Sequence, residues 1–180
     1  MINWPKEWAP LSKEVALKLS KLKMMIFDVD GVFTDGTILR DEEGNEQRRF
    51  SVLDGHGISR LKEKKILVGV ISREPSEITR SRMNKLKMDE IHVGSKDKSL
   101  TLKEILNRRN LNSEDVGFMG DDIPDLEAFS EVEVRLAPAN AQPQIRAQAD
   151  WISKSQGGNG AVREACEVII HSIENSRQSD

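Results

Sequence analysis

The chain has a single cysteine among its 180 residues, Cys166, so it can close no internal disulfide and a sulfur-stapled scaffold is excluded. That usage is consistent with a reducing compartment, and cytoplasmic residence is expected. No apolar run approaches the ~18 residues of a membrane-spanning helix, and the N-terminus shows no charged segment leading into a long apolar core and a small-residue cleavage site. No membrane partner is expected. An excess of charge of one sign is lacking too: the net charge is -3, with acidic and basic residues interleaved. A nucleic-acid partner would ask for a basic stripe or cluster, so none is expected, and small molecules are the expected partners. Internal repeats and low-complexity tracts are missing as well. What is present is 37% hydrophobic content, enough for one core and one domain over residues 1–180.

Short β-rich runs alternate with helical patterns. Lys23 to Val29, Ile66 to Ser72, Glu90 to Val93, Val116 to Gly120 and Val132 to Leu136 read as strands, with a short last one near Asp150 to Ser153. Near-continuous apolar strands separated by helices predict an α/β fold, a doubly wound (Rossmann-like) parallel sheet with helices on both faces. Helices are expected from Pro75 to about Leu86, from Ser99 to Arg109, from Pro124 or Asp125 for a short stretch, and from Gly160 to Ile173. Residues 1–22 form an N-terminal extension with a helix from Ser12 to Leu22, and Asn175 to Asp180 are expected to fray. Residues 36–52 break the alternation. Thr37 to Arg40, a turn signal at Asp41 to Asn45, and Glu46 to Val52 predict an inserted β-hairpin.

Acidic residues crowd the ends of two of these strands. Asp28, Asp30 and Asp35 follow Met24 to Phe27, and Asp121 and Asp122 follow Val116 to Gly120. Carboxylates at the exits of buried strands are costly to place unless a cation sits between them, which implies a metal and an anionic substrate. Ligands of a doubly wound sheet bind outside the carboxyl ends of its strands. Four groups fall there: Asp28 with Asp30 and the turn-forming Gly31; Ser72, whose hydroxyl can bond a phosphoryl oxygen; Lys98, a compact cation; and Gly120 to Asp125, with Asp121, Asp122 and Asp125 offering the hard oxygen ligands Mg²⁺ prefers.

This ordered set, DxDGxxTD, then Ser, then Lys, then GDDxxD, resembles the haloacid dehalogenase superfamily of phosphohydrolases over almost the whole chain. The resemblance implies that Asp28 is a nucleophile that becomes an aspartyl phosphate and that Asp30 is the general acid, then base. It also implies Mg²⁺ held by the Asp28 carboxylate, the Asp30 backbone carbonyl and the Asp121 carboxylate, with Asp122 and Asp125 in support, and a phosphoryl group held by Ser72 and Lys98. The gaps between the motifs leave no room for a cap domain.

More narrowly, the chain resembles the phosphatases of 3-deoxy-D-manno-octulosonate (KDO) 8-phosphate, on Asp28 to Gly36, Phe50 to Ile58, Asp97-Lys98, Gly120 to Asp122 and Gly157 to Glu164. That implies a homotetramer in which the hairpins gather centrally and a C-terminal segment of one subunit reaches the next one's site. It implies a sugar-acid phosphate substrate contacted by Ser51, Val52, Leu53, Asp54, Gly55, Arg82 and Lys98. Ser59 and Glu74 stand where such enzymes usually carry arginines, and Asn159 replaces another. Glu74 with Lys85 is similar instead to the phosphatases of nine-carbon keto-deoxy sugar acid 9-phosphates, which makes both residues candidates for substrate recognition. The eight-carbon substrate leads, because the N-terminal extension and the C-terminal tail look more like that branch.

Two other classes share some of these features: a phospho-receiver domain, which has no DxD spacing, and a non-catalytic oligomerisation domain, which would not need every catalytic residue. Trp4 and Trp8 are expected to anchor the N-terminal segment, and His92 and His171 to be structural. His56 is expected in a glycine-flanked loop near the site, Cys166 in the core, and the Arg48-Arg49 pair on a solvated hairpin face or a subunit interface.

Overall fold

The computed structural model describes residues 8–177; Trp4 and residues 178–180 lie outside the described residues. The first strand, β1 (Met24–Phe27), is four apolar residues buried on both sides. Met25 and Phe27 belong to one core cluster and Met24 and Ile26 to the other, so strand alternation splits the run between two faces. Such a strand needs partners on both edges, and it has them in β4 (Leu67–Ser72) and β6 (Val116–Met119). Outside these lie β5 (Glu90–Val93), and β7 (Val134–Ala137) with β8 (Trp151–Ile152). The order β5-β4-β1-β6-β7-β8 is parallel throughout. The strand order reverses at β1, which makes its carboxyl end the crevice of the sheet.

Helices α1 (Lys13–Ser20), α2 (Val52–Glu63) and α7 (Ala161–Ser176) cover one face, burying Leu19, Ile58, Leu61, Val162, Ile169 and Cys166. The other face is covered by α4 (Lys98–Arg109), α5 (Leu126–Phe129) and α6 (Pro143–Arg146), through Leu102, Ile105, Phe129 and Ile145. Helix α3 (Glu77–Lys85) joins the first face through Met83. It starts after Ser76, whose hydroxyl accepts from Thr79 N, so Pro75 precedes the helix and does not occupy its first turn. Each strand expected from the sequence is present, with ends shifted by a residue or two.

The inserted hairpin is shorter than expected. Its ladder pairs only β2 (Leu39–Arg40) with β3 (Glu46–Gln47). Its turn is the one the sequence signals: the Asp41 carboxylate accepts from Glu43 N and Asn45 N, and Gly44 takes φ 85°. After β3 and a short irregular stretch, 48–51, the chain enters a helix. Ser51 caps α2, its hydroxyl accepting from Leu53 N, and His56 is an exposed residue of that helix rather than of a loop. Two glycines inside a helix each cost up to about 1 kcal/mol, so local propensity argues against α2. Packing overrides it: a Cβ on Gly55 would lie 2.8 Å from Arg82 Nη2, and one on Gly57 3.0 Å from Arg163 Cα. The glycines let α3 and α7 close on α2.

Candidate active site

At the carboxyl end of β1 the backbone N–H of Asp28 donates to Met119 O, which ties the first motif to the strand beside it. Gly31 then turns the chain with φ 89°, and Thr34 Oγ1 accepts from Gly31 N and Gly36 N to brace the turn. A Cβ at Gly31 would lie 2.0 Å from Asp121 Oδ2, so only glycine admits the Asp121 carboxylate here. Likewise a Cβ at Gly120 would strike Asp125 at 2.4 Å. Gly31 lets the first acidic motif close on the second, and Gly120 lets the second fold back on its own Asp125.

Lys98, the first residue of α4, is almost fully buried and reaches back into this cluster. Its Nζ donates to Asp28 Oδ1 at 2.6 Å and to Asp125 Oδ1 at 2.5 Å. The second oxygen of Asp125 accepts from the backbone N–H groups of Asp121 and Asp122. Asp125 is therefore fully engaged, while Asp28 and Asp121 are left facing each other. Ligand atoms of Asp28, Asp121 and Asp125 lie within 4.8 Å of one another. Three carboxylates crowd one ammonium, and burial with mutual repulsion raises the proton affinity of Asp28 and Asp121. Burial lifts Asp28 to about 7, Lys98 opposing and Asp125 adding to the rise. Burial lifts Asp121 to about 8, helped by Asp28, Asp125 and Asp122. Burial pulls Lys98 down, but Asp28 and Asp125 more than offset it and the net shift is upward. A cluster this short of positive charge, built of hard oxygens, fits a divalent cation.

The cluster floors an open cavity of about 340 Å³ whose walls include Asp30, Ser72, Arg73, Glu74, Gly36, Ile38, Asp122 and Pro124. Asp28, Asp30, Ser72, Glu74, Lys98, Asp121, Asp122 and Asp125, expected from scattered motifs, thus meet in one place. Asp35 does not join them: it is exposed and bonds Thr37 N and Arg49, which with the turn hold its carboxyl below the usual range.

The structure does not bring Ser51, Val52, Leu53, Asp54, Gly55, Arg82 or Lys85 to this cavity within one chain. Val52 and Leu53 are 81% and 62% exposed. Arg82 donates to Ser51 O and stacks over Phe50. Asp54 is buried, accepts from Arg163 N at the start of α7, and is pushed up by burial to about 6. The glycine-rich segment packs on its own chain's first motif: a Cβ on Gly157 would lie 1.9 Å from Gly31 O, and Asn140 bridges Gly31 O and Gly157 N.

Sequence reasoning missed Arg73, Asn140 and Arg48. The Arg48 side chain is 0% exposed and paired with Asp30, which corrects its expected place on a solvated face. Arg49 is exposed, as expected. Its neighbour's burial leaves no local trace, because one residue of a polar hairpin carries no periodicity.

Residues 58–164 match the haloacid dehalogenase-like hydrolase family model. The chain belongs to that family. Among the relatives of this haloacid dehalogenase-like hydrolase is the 3-deoxy-D-manno-octulosonate 8-phosphate phosphatase of Yersinia pestis, 32% identical over 91% of this chain and 87% of that protein. A solved structure of the Moraxella catarrhalis phosphatase of that name, in complex with magnesium ion, phosphate ion and KDO, superposes with a TM-score of 0.88. It is 33% identical, covering 93% of this chain and 97% of that one. The cobalt-bound Haemophilus influenzae phosphatase gives 0.84 at 33% identity, covering 88% and 93%. Both superpositions run over most of each chain, so these neighbours share the parallel α/β fold described above.

Proposed function

We propose that this chain is a Mg²⁺-dependent phosphatase that releases phosphate from KDO 8-phosphate through an aspartyl-phosphate intermediate. The observation that carries the reading is the Asp28–Lys98–Asp125 bridge beside Asp121, at the floor of a cavity whose wall holds Asp30 and Ser72. Asp28 and Asp121, with the Asp30 backbone carbonyl, would hold the Mg²⁺, supported by Asp122 and Asp125. When bound, the ion neutralises charge on the phosphoryl oxygens.

The chain's own groups supply the chemistry. An Asp28 oxygen attacks phosphorus while the bond to the sugar oxygen breaks, and Asp30 gives its proton to the departing alkoxide. A water then attacks the phosphorus of the aspartyl phosphate, Asp30 takes its proton, and inorganic phosphate leaves with Asp28 restored. Ser72 and Lys98 hold the phosphoryl oxygens throughout. The test is phosphate release from KDO 8-phosphate, abolished by EDTA and by Asp28→Asn. Full activity in Asp28→Asn would remove the covalent route.

A homotetramer belongs to this reading. Ile38 and Leu39 on the hairpin and Val52 and Leu53 at the start of α2 expose apolar surface, and the second pair lies among residues expected to touch substrate. A neighbour's α2 residues would then complete a cavity that its own chain leaves open, which light scattering of the purified chain tests. Cytoplasmic residence is also part of it, supported by the buried free thiol of Cys166. Among the described residues no helix is long and apolar enough to cross a membrane.

A further inference from the structure

We propose that Arg48 is the positioning residue for the acid–base carboxylate Asp30, an inference that rests on the phosphatase reading above. Its Nη1 donates to Asp30 Oδ1 at 2.5 Å and lies 3.4 Å from Thr79 Oγ1 on α3. The Arg48 side chain is 0% exposed, whereas that of Asp30 is 29% exposed. Asp30 lines the cavity and Arg48 does not. The guanidinium therefore holds the carboxylate from behind and is not placed to grip the substrate itself.

The arrangement is costly as a purely structural device. Nε and Nη2 of Arg48 find no hydrogen-bond partner among the described residues, and Nη2 lies 3.8 Å from Glu46 Oε2, beyond hydrogen-bond reach. A buried guanidinium satisfied through one nitrogen gains less than it loses in hydration, so fold stability alone gives no reason for it. Its geometry gives one. A carboxylate rotates readily about its last torsion, and pinning Oδ1 leaves Oδ2, which accepts no hydrogen bond from the described residues, as the oxygen for the proton in flight. Holding a reacting group in one orientation removes entropy from the barrier. Arg48 sits one residue past β3, so the inserted hairpin contributes to the chemistry as well as to the surface.

A leaving-group comparison on the full-length Mg²⁺-loaded protein tests this. The sugar alkoxide of KDO 8-phosphate needs a proton to depart, whereas the p-nitrophenolate of p-nitrophenyl phosphate does not. Arg48→Met should lower kcat/KM for the sugar phosphate by about 10²-fold while changing that for the aryl phosphate by less than about threefold. The Mg²⁺-induced rise in melting temperature should persist, and Arg48→Lys should recover part of the loss. An equal loss on both substrates, or none on either, overturns the assignment. If Arg48→Met does not fold, the same comparison is made with Arg48→Lys: a selective loss is expected, and a uniform one overturns it. A wild-type chain inert toward both substrates removes the phosphatase reading itself; an active wild type with an indifferent Arg48→Met removes only the role of Arg48.

Discussion

Lys98 Nζ lies 2.6 Å from Asp28 Oδ1, with both side chains less than a tenth exposed, so the nucleophile and its cation are one buried unit. The same ammonium reaches Asp125, which in turn orders the backbone of Asp121 and Asp122. One cation thereby organises both acidic motifs.

Removing it should be felt in chemistry and in folding. Lys98→Met is expected to lower kcat/KM by about 10³-fold, since a fixed cation at the reacting phosphoryl group is lost. In EDTA it should destabilise the chain by about 3 kcal/mol, because the buried carboxylates of Asp28 and Asp125 lose the cation they share. Phosphate release and urea unfolding measure the two, and an unchanged unfolding midpoint would contradict the buried-unit picture.

Gly31 is predicted to control metal affinity. Gly31→Ala sets a Cβ against Asp121 Oδ2 and strains a backbone at φ 89°, so the carboxylate must move. The Mg²⁺ concentration for half-maximal activity should rise at least about tenfold, as for displaced ligand supports. A Mg²⁺ titration of activity checks this, and an unaltered midpoint would mean that Asp121 does not hold the ion.

The metal-free chain should lose stability as pH rises. Asp28 and Asp121 titrate near 7 and 8 in the folded chain against 3.8 ordinarily, so the folded state binds more protons than the unfolded one. Their contribution is complete below the ordinary value and disappears as pH climbs through the folded values. Melting temperature in EDTA should fall between pH 5 and 8, and less steeply in Asp121→Asn. Because Mg²⁺ competes with those protons, its stabilising shift should be larger at pH 8 than at pH 6. Calorimetry with and without the ion tests both, and an equal shift at the two pH values would contradict the assignment.

Glu74 lines the cavity, where a carboxylate opposes a sugar acid unless a cation offsets it. Glu74→Arg should move the ratio of kcat/KM values toward the eight-carbon over the nine-carbon ulosonate phosphate by about tenfold, 1.4 kcal/mol. A kinetic panel of both substrates decides it, and an unchanged ratio would show that Glu74 does not set specificity.

By itself the sequence determined the strand succession and the chemistry at the strand ends. Apolar runs such as Met24 to Phe27 have no stable home but a sheet covered on both faces, and the residues just past them must then open on its crevice. Asp28, Asp30, Ser72, Lys98 and Asp121 were legible for that reason. Tertiary structure alone decided α2, whose Gly55 and Gly57 argue against a helix until Arg82 and Arg163 close on them. It alone set Ser51 to Gly55 apart from their own chain's cavity and turned Arg48 inward onto Asp30. Periodicity records which face of an element is buried, but a contact between residues 18 apart depends on how the intervening hairpin folds back, and no local pattern carries that.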